Sequence, residues 1–495
     1  MYKIQLINAC NDDGASGSGN TSCYPPLGLI SIASFLTKKA KNFDITVEII
    51  DGQQYNNVDE MLELIDADIC GFSVLGFNYK STLTLTNKAK QNGAKIIWGN
   101  DHATHLAKII LKKHSEIDFI SLGDTGETTF YELIKAIITN APDSSYLNIN
   151  NIAYRDGDKL IFTNKNYNSI NTLPIIDRSV FKGYDLYFKN YNERFSQYHN
   201  KKIINMTTNF AKGCGWGQNK SAKCLYCDIH DLNMDYVNPE RVWEELSYLK
   251  SKYGVNYIYE VCDNFTSLDK VMLDSKKSYL DVLIDLKPES LNDIEWFVYS
   301  RASDININML NKLKKIGVTR VNIGFDSGDN LMLKTLSKGA SQNINEKAAK
   351  LLFDNNFQLY CSFVLGSIGE TEESLSKTID FVKMLKKYGD KNLVALTASP
   401  LCPLPGARSW DLLLNPEYGV NYCKKFNFTP NYKEDYAKKY SGQDCIDMNS
   451  TSFDWINTFC YATHKQIWNA TKTIQNIAYQ SGTFTGGFGL NESKI

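Results

Sequence analysis

A chain of 495 residues is longer than one hydrophobic core usually serves, so we expect two or three domains. Its 43% hydrophobic and 22% charged residues are typical of a globular protein, and its formal net charge of -1 without a polybasic run argues against nucleic acid or an anionic membrane as the main partner. The first residues predict a strand and not a signal peptide, no apolar run of about 18 residues occurs, and the 12 cysteines form no secreted disulfide framework, so we expect a reduced, cytoplasmic protein.

The first 140 residues alternate short apolar runs with longer segments of helical spacing. Segments 27–38 and 80–91 are typical of helices, and the apolar runs predict buried parallel strands at residues 4–7, 46–50, 69–74, 95–98 and 119–122. This alternation predicts a doubly wound, Rossmann-like α/β domain over residues 1–145. Ligands of such sheets bind at the carboxyl ends of the strands.

A hairpin with Asp156-Gly157 as its turn and a connector are expected over residues 146–200. The strand–helix alternation then resumes, and its apolar runs predict strands at residues 203–207, 257–261, 296–299, 320–323, 359–365 and 393–397. Six such units indicate a partial (β/α)6 barrel over residues 201–398, with its active site at the strand carboxyl ends. Residues 399–495 form a mainly helical region, with a weak helical signal at 452–473, and we expect them to contact the substrate.

Three cysteines, Cys214, Cys224 and Cys227, lie in the loop that follows the first predicted barrel strand. Three thiolates without a nearby fourth ligand favour an iron–sulfur cluster with one open iron, because a cluster that only carries electrons takes four protein ligands. A structural zinc site would need a fourth ligand. That alternative stays open, with Cys262 or His230 closing the site.

The cysteine spacing resembles that of the radical SAM superfamily. The usual pattern is Cys-x3-Cys-x2-Cys, and this chain has Cys-x9-Cys-x2-Cys in a context similar to the extended-loop variant of cobalamin-dependent members that modify peptide natural products. Two family motifs are altered, since Asp326 stands where Glu is common and Ile368 replaces a proline. The resemblance covers roughly residues 200–400 and rests further on segments 259–264, 299–301, 321–329, 338–339 and 365–371.

The resemblance implies a 4Fe-4S cluster on Cys214, Cys224 and Cys227, S-adenosylmethionine (SAM) at its open iron, and a reductase such as flavodoxin or ferredoxin as electron donor. It assigns no catalytic residue. The SAM contacts that it implies are Tyr226, Glu260, Asp263, Asn264, Ser300, Arg301, Asp326, Ser362 and Gly366.

Four amino-terminal segments, residues 23–30, 71–78, 98–104 and 122–128, resemble the loops of cobalamin-binding domains fused to radical SAM barrels. No Asp-x-His-x-x-Gly motif is present, so neither His102 nor His105 is expected to be an axial ligand of cobalt. The alternative is a generic doubly wound domain that serves as a substrate platform or nucleotide site. The cobalamin contacts that the resemblance implies are Tyr24, Leu27, Ser73, Phe77, Asn78, Gly99, Asn100, His102, Gly123, Asp124, Gly126 and Glu127.

The resemblance implies a C-methyltransferase of natural-product biosynthesis. The methyl group would pass from SAM through methylcobalamin to an unactivated carbon of a small-molecule or peptide substrate, after hydrogen abstraction by a 5′-deoxyadenosyl radical. A rearrangement or cyclisation with the same cofactors but no methyl transfer is the first alternative. The second is an iron–sulfur protein without radical chemistry.

Overall fold

The computed structural model describes residues 1–12, 23–123, 125–218, 222–229 and 233–480. The chain divides into two compact units. Unit 1 comprises Met1–Asn190 together with the short segment Gly442–Ile446, and unit 2 comprises Tyr191–Ser441 and the residues from Asp447 onward.

Within the described residues of unit 1, seven strands form one sheet in the order β2-β1-β3-β4-β5-β6-β7. The first five are parallel and the last two are antiparallel. The strands are β1 Tyr2–Asn8, β2 Ile45–Asp51, β3 Ile69–Ser73, β4 Lys95–Gly99, β5 Phe119–Ser121, β6 Ile152–Asp156 and β7 Lys159–Phe162. The helices are α1 Leu27–Lys39, α2 Val58–Leu62, α3 Tyr79–Gln91, α4 Asp101–Lys113, α5 Gly126–Ile138 and α6 Tyr184–Phe195, the last of which continues into unit 2.

The core of unit 1 explains why the apolar runs become strands. Ile4, Leu6 and Ile69 are fully buried, and Leu133 of α5 and Ala33 of α1 are buried in the same cluster. Burying an aliphatic side chain of this size stabilises the fold by about 1.5–3 kcal/mol. The doubly wound sheet is confirmed, and its order changes direction between β1 and β3, where ligands of such sheets bind.

In the described part of unit 2, six parallel strands follow one another in the order β8-β11-β12-β13-β14-β15, which confirms the partial barrel. Two further strands, β9 and β10, form a separate antiparallel pair. The strands are β8 Asn205–Thr208, β9 Ala211–Lys212, β10 Asp235–Tyr236, β11 Tyr257–Glu260, β12 Glu295–Ser300, β13 Val318–Asp326, β14 Gln358–Leu365 and β15 Leu393–Pro400.

Helices separate the barrel strands and form the carboxyl-terminal region. The predicted weak helical signal at 452–473 corresponds to two helices, α16 and α17, interrupted at 460–463. Among the described residues we find no helix with the length and hydropathy needed to cross a membrane. The helices are α7 Pro239–Tyr253, α8 Tyr279–Asp285, α9 Ile307–Ile316, α10 Asn330–Thr335, α11 Gln342–Asp354, α12 Glu372–Gly389, α13 Arg408–Leu414, α14 Pro416–Cys423, α15 Tyr436–Tyr440, α16 Met448–Phe459 and α17 His464–Gln480.

A buried cation fills the amino end of the barrel. Arg320, only 1% exposed, donates to the hydroxyl of Tyr191 (3.1 Å) and to Gln358 Oε1 (2.9 Å), and its guanidinium lies 5.2 Å from the ring centroid of Phe195. Stacking on an aromatic face stabilises a desolvated guanidinium. The side chains of Arg320, Tyr191 and Phe195 therefore pack at the amino end of the barrel. The cysteine loop follows the carboxyl end of β8.

The segment Gly442–Ile446 belongs to unit 1 although it lies far along the chain. The Asp444 carboxylate accepts hydrogen bonds from Tyr79 (2.6 Å) and His114 Nε2 (2.6 Å), and it pairs with Lys113 at 2.5 Å. Burial opposes the charged form, but these donors hold the pKa of Asp444 well below its usual range. The Asp444 carboxylate thus attaches this segment to the start of α3 and the end of α4.

We expect Asp444→Asn to lower the free energy of unfolding by about 1–3 kcal/mol at pH 7, because charge-assisted hydrogen bonds are lost. A carboxyl whose folded pKa is depressed stabilises the fold above its unfolded pKa of about 4, and this stabilisation disappears as the pH falls further. Urea denaturation should therefore give the same difference in unfolding free energy from wild type at pH 7 and pH 5, and a smaller difference at pH 3. The exposed Asp158→Asn is the control, and an equal gap at every pH would contradict the assignment.

Candidate functional site

The start of the cysteine loop, which follows β8, is anchored by a buried carboxylate at the end of β11. Glu260 is fully buried, and it accepts hydrogen bonds from Thr208 Oγ1 (2.7 Å) and from the backbone amides of Phe210 (2.8 Å) and Ala211 (3.3 Å). Burial raises the pKa of Glu260 to about 7, against the opposing effect of these three donors. Both carboxylate oxygens are engaged within the protein, so Glu260 joins the start of the loop to the neighbouring strand.

A sharp turn at Gly213 then brings the chain to Cys214. Gly213 has φ +88°, and a Cβ there would lie 2.1 Å from the carbonyl oxygen of Asn233, so only glycine fits. Its amide donates to Asp263 Oδ2 at 2.8 Å. Asp263, a predicted SAM contact, therefore also anchors the residue before the first cysteine.

All three motif cysteines are free thiols and partly exposed. The amide of Cys227 donates to the carbonyl of Cys224 (3.2 Å), which closes the turn between them, and Cys224 Sγ lies 4.0 Å from the carbonyl oxygen of Ser337. In the part of the chain that the structure describes, no three His, Cys, Asp or Glu side chains form a group that could hold a single metal ion. Three accessible thiols in one loop are the donor set that an iron–sulfur cluster with an open iron requires.

Tyr226, between the last two cysteines, attaches the loop to the carboxyl end of β13. Its hydroxyl donates to Asp326 Oδ2 (2.8 Å), and Lys338 Nζ lies 2.8 Å from the same carboxylate oxygen and 3.2 Å from the phenol. Burial and the Asp326 charge raise the pKa of Tyr226 well above its usual value, so the phenol stays protonated and can donate. Asp326 is 1% exposed and has φ +62°, at a bulge in the pairing of β13 with β14.

Trp216 packs against the backbone at Gly339. A Cβ on Gly339, which has φ +64°, would lie 2.2 Å from the indole ring. The indole Nε1 donates to the carbonyl of Ser337 (3.1 Å), and the guanidinium of Arg301 lies 4.5 Å from the ring centroid. Arg301 also donates to the carbonyl of Lys338. The first half of the cysteine loop therefore packs against the backbone of Lys338 and Gly339.

A buried polar network joins the ends of β11 and β12. Thr266 Oγ1 donates to Asn264 Oδ1 (2.8 Å) and lies 2.9 Å from Ser300 Oγ, and Asn264 donates to Asp304 Oδ2 (3.2 Å). Asn264, Thr266 and Ser300 are at most 8% exposed. Satisfied networks of this kind rigidify a site, because an unpaired buried polar group is costly.

The ends of β13 and β14 complete this edge. A Cβ on Gly324 would lie 3.0 Å from Lys338 Nζ and 3.5 Å from Ser362 Oγ, so both side chains lie close to this glycine. Gly366 has φ +90°, and its amide donates to Glu370 Oε2 at 3.0 Å. Burial raises the pKa of Glu370 to about 7. The predicted SAM residues therefore lie along the carboxyl edge of β11 to β14, and their contacts with SAM stay a prediction.

The predicted cobalamin residues lie at the carboxyl edge of the unit 1 sheet. Ser73 and Gly99 end β3 and β4 and are paired in register, and Asn100 Nδ2 donates to Ser73 Oγ at 3.0 Å. A Cβ on Gly99 would lie 3.8 Å from the Cβ of Ser121, in ordinary van der Waals contact without overlap. Tyr24, Leu27 and Phe77 are partly exposed, as are Gly123 and Gly126, and Asp124 lies outside the described residues.

Three of these residues are already held by the protein. Asn78 is fully buried and bonds with Leu75 N (2.8 Å) and the Ser73 carbonyl (3.2 Å), which fixes the turn after β3. Glu127 accepts from Ser31 Oγ at 2.6 Å. His102 Nε2 lies 2.7 Å from the Asp444 carbonyl, and burial lowers its pKa, so the ring is neutral at pH 7. These contacts orient the edge, while ligation by His102 has no support in this geometry.

Several residues of the site had no signal in the sequence. Trp216 and Thr208 were not singled out, although both fix the cysteine loop. Asp444 was also missed, because a carboxylate more than 300 residues from its partners leaves no local pattern. His230, the alternative zinc ligand, lies outside the described residues.

Residues 208–382 match the family model described as the Radical SAM superfamily. A protein of Pyrococcus horikoshii described as an uncharacterised methyltransferase is 25% identical over 396 residues, which are 78% of this chain and 78% of that protein. An anaerobic magnesium-protoporphyrin IX monomethyl ester cyclase of Cereibacter sphaeroides is 21% identical over 373 residues, 74% of this chain and 57% of the cyclase. The chain thus spans little more than half of the cyclase.

Two solved structures share the fold. OxsB, a cobalamin-dependent SAM radical enzyme with aqua-cobalamin and SAM bound, gives a TM-score of 0.67 at 15% identity and covers 95% of this chain and 66% of its own. TsrM of Kitasatospora setae, a radical SAM methyltransferase with cobalamin and a 4Fe-4S cluster bound, gives 0.62 at 13% identity and covers 83% and 75%. The TM-scores show that the fold is shared. At identities this low, the bound ligands are stated of the two relatives alone.

We expect Gly339→Ala to displace Trp216 and to lower iron incorporation, because the new methyl group would overlap the indole ring. Gly93→Ala is the matched control: it has a similar positive φ, +89°, but nothing within 4 Å of its Cβ. Iron per chain after anaerobic reconstitution is the measurement. If the two variants incorporate the same amount of iron, the Trp216 contact does not determine iron incorporation.

Proposed function

From the radical SAM domain that this chain contains, we propose that the protein is a cobalamin-dependent radical SAM methyltransferase. The contact that carries the proposal is the hydrogen bond from Tyr226 to Asp326. It attaches the turn between Cys224 and Cys227 to the carboxyl end of β13, where a strand–helix barrel has its active site. A zinc or electron-transfer loop would not need to lie at this edge.

The residues fit the cofactors that the fold implies. Cys214, Cys224 and Cys227 would hold a 4Fe-4S cluster, the predicted SAM residues line the adjacent edge, and the residues around Ser73 and Gly99 would hold cobalamin. When bound, the cluster and SAM supply radical chemistry and cobalamin supplies a methyl carrier. The buried pair of Lys338 and Asp326 keeps fixed charges beside this site, and the aromatic side chains of β11 and β12 exclude water below it.

Methyl transfer is favoured by the Pyrococcus relative, which is named a methyltransferase and matches over 78% of both chains. A second candidate, ring formation without methyl transfer, is favoured by the cyclase of Cereibacter sphaeroides. We place methyl transfer first because the match covers only 57% of the cyclase, whereas it covers 78% of the methyltransferase and 78% of this chain. The substrate would be a small molecule or a peptide, and its carbon the methyl acceptor.

The test is anaerobic reconstitution with iron, sulfide and hydroxocobalamin, followed by incubation with SAM and a reductant. About one cobalt and four irons per chain are expected. Methyl transfer yields both S-adenosylhomocysteine and 5′-deoxyadenosine, whereas ring formation yields 5′-deoxyadenosine alone. Iron without cobalt would overturn the cobalamin assignment and leave a radical SAM enzyme with a different first domain.

We expect Cys224→Ala to abolish 5′-deoxyadenosine formation while cobalamin content stays at the wild-type value, because the thiol lies in unit 2 and the cobalamin edge in unit 1. The control is Cys423→Ala, which removes a buried thiol of α14 from the same unit. Both are measured by liquid chromatography and by cobalt analysis. Undiminished 5′-deoxyadenosine in the Cys224 variant would refute the cluster assignment.

We expect Gly99→Phe to reduce cobalamin binding at least about tenfold, because the Cβ would make only ordinary contact with Ser121 and the ring would occupy space at the carboxyl end of β4. Lys95→Phe places the same ring at the amino end of the same strand and serves as the control. Cobalamin retained after gel filtration is measured from its visible spectrum. Equal retention by the two variants would place cobalamin elsewhere.

A further inference from the structure

A buried ion pair lies where β13 reaches the cysteine loop. Lys338 Nζ is 2.8 Å from Asp326 Oδ2, and only 12% of the lysine side chain and 1% of the aspartate side chain are exposed. The hydroxyl of Tyr226 lies 3.2 Å from the ammonium and donates to the same carboxylate oxygen. Tyr226 stands between Cys224 and Cys227 in the chain, so both charges of the pair meet the turn that carries two motif cysteines.

The backbone that carries Lys338 is fixed beside the same turn. The carbonyl of Ser337 accepts a hydrogen bond from Trp216 Nε1 at 3.1 Å. It also lies 4.0 Å from Cys224 Sγ. The next carbonyl, that of Lys338 itself, accepts from Arg301. The lysine therefore starts from a backbone that is held against the first cysteine of the Cys-x2-Cys pair.

Lys338 carries its positive charge at pH 7. Burial alone would lower the pKa of its ammonium, but Asp326 and the negative charge of a Cys224 thiolate raise this pKa above its ordinary value. The interaction energy of two charges is shared by both of them. An ammonium that a charge at Cys224 stabilises therefore stabilises additional negative charge at Cys224 in turn.

The other charged side chains around this turn do not cancel that effect. Arg301 lies close enough to repel the ammonium of Lys338 and is a second cation at the same place. Burial raises the pKa of Cys227 to about 12, and Lys223 and Asp228 act on this pKa in opposite directions, so these two neighbours offset each other in part. The buried ion pair is screened little by water, because both of its side chains are nearly enclosed.

Stability alone explains this pair poorly. A buried ion pair often adds little net stability compared with apolar side chains of the same volume. Asp326 has a strained backbone with φ +62°, and a Cβ on Gly324 would lie only 3.0 Å from Lys338 Nζ, so the backbone is shaped to admit both charges. The position of the pair beside two cysteines gives these charges a role in redox chemistry.

We propose that the pair of Lys338 and Asp326 sets the reduction potential of the iron–sulfur cluster that the three motif cysteines would hold, with the ammonium favouring the reduced cluster. The inference rests on the proposed function, since it requires the cluster. Reduction adds one electron from a low-potential one-electron reductant, and no bond or proton changes at that step. A nearby cation lowers the free energy of the more negative, reduced state, and a nearby anion raises it.

The test is a redox titration of reconstituted protein, in which the reduced cluster is measured by electron paramagnetic resonance. SAM is left out because Asp326 is also a predicted SAM contact. Lys338→Met leaves the carboxylate unopposed, and we expect the ratio of reduced to oxidised cluster at a given potential to fall at least about tenfold, a shift of about 59 mV to lower potential for one electron. Asp326→Asn leaves the ammonium unopposed and should shift the potential upward. Lys334→Met removes an exposed lysine of α10 and is the control, which should keep the wild-type potential.

Iron per chain is measured for every variant. The double variant Lys338→Met/Asp326→Asn leaves neither member of the pair as an unpaired buried charge, so it keeps the fold where a single variant does not. We expect its potential to lie below that of wild type but above that of Lys338→Met, because Ser337, which precedes the lysine, is the residue beside Cys224 Sγ. Single variants that shift in opposite directions, or a lower potential in the double variant, support the proposal.

Two kinds of failure are distinguishable. Unchanged potentials in variants that hold about four irons, or shifts of the same sign in both single variants, would overturn the role of the pair and leave the proposed function intact. Wild-type protein that binds no iron–sulfur cluster would overturn the proposed function and this role together.

Discussion

The site of unit 2 depends on one buried carboxylate, Glu260. Removing a carboxylate from water is costly, and the cost is offset only when its oxygens are hydrogen-bonded. Here two amides and a hydroxyl at the end of β8 supply those bonds, so the chain must leave the strand in one direction. The pKa of about 7 shows that burial still outweighs the donors. The turn at Gly213 and the position of Cys214 follow from this anchor, because both lie within three residues of Ala211.

Strained backbone is concentrated where the cysteine loop meets the barrel. Asp326 and Ser337 have φ of +62° and +56°, which costs each residue about 1–2 kcal/mol relative to ordinary helical or extended backbone. Each is compensated by specific partners: Asp326 by Lys338 and Tyr226, and Ser337 by Trp216 Nε1. The strain directs a carboxylate and a carbonyl toward the cysteine loop.

Most of the fold was predictable because the parallel strands are buried on both faces and read as short apolar runs. The barrel strands and the helices between them follow from that periodicity, and the motif cysteines follow from their spacing. The contacts of Trp216 with Gly339, and of Arg301 with Lys338, could not be predicted, since they join loops more than 30 residues apart. The interruption at 460–463 between α16 and α17 was missed for a similar reason: the amides of Tyr461 and Ala462 both donate to the carbonyl of Glu370, a tertiary constraint without a local signal.

The return of Gly442–Ile446 to the helices α3 and α4 shows that unit 1 is not complete within its own contiguous stretch of chain. The entropic cost of such a long return is modest, because each doubling of loop length adds only about 0.6 kcal/mol. Several charge-assisted bonds from Tyr79, Lys113 and His114 exceed that increment. Without Asp444, the hydroxyl of the buried Tyr79 and the ring of His114 would lose their shared acceptor at the edge where His102 and Asn78 lie. The carboxyl edge of the first sheet is therefore shaped by residues that the chain adds only after the barrel strands.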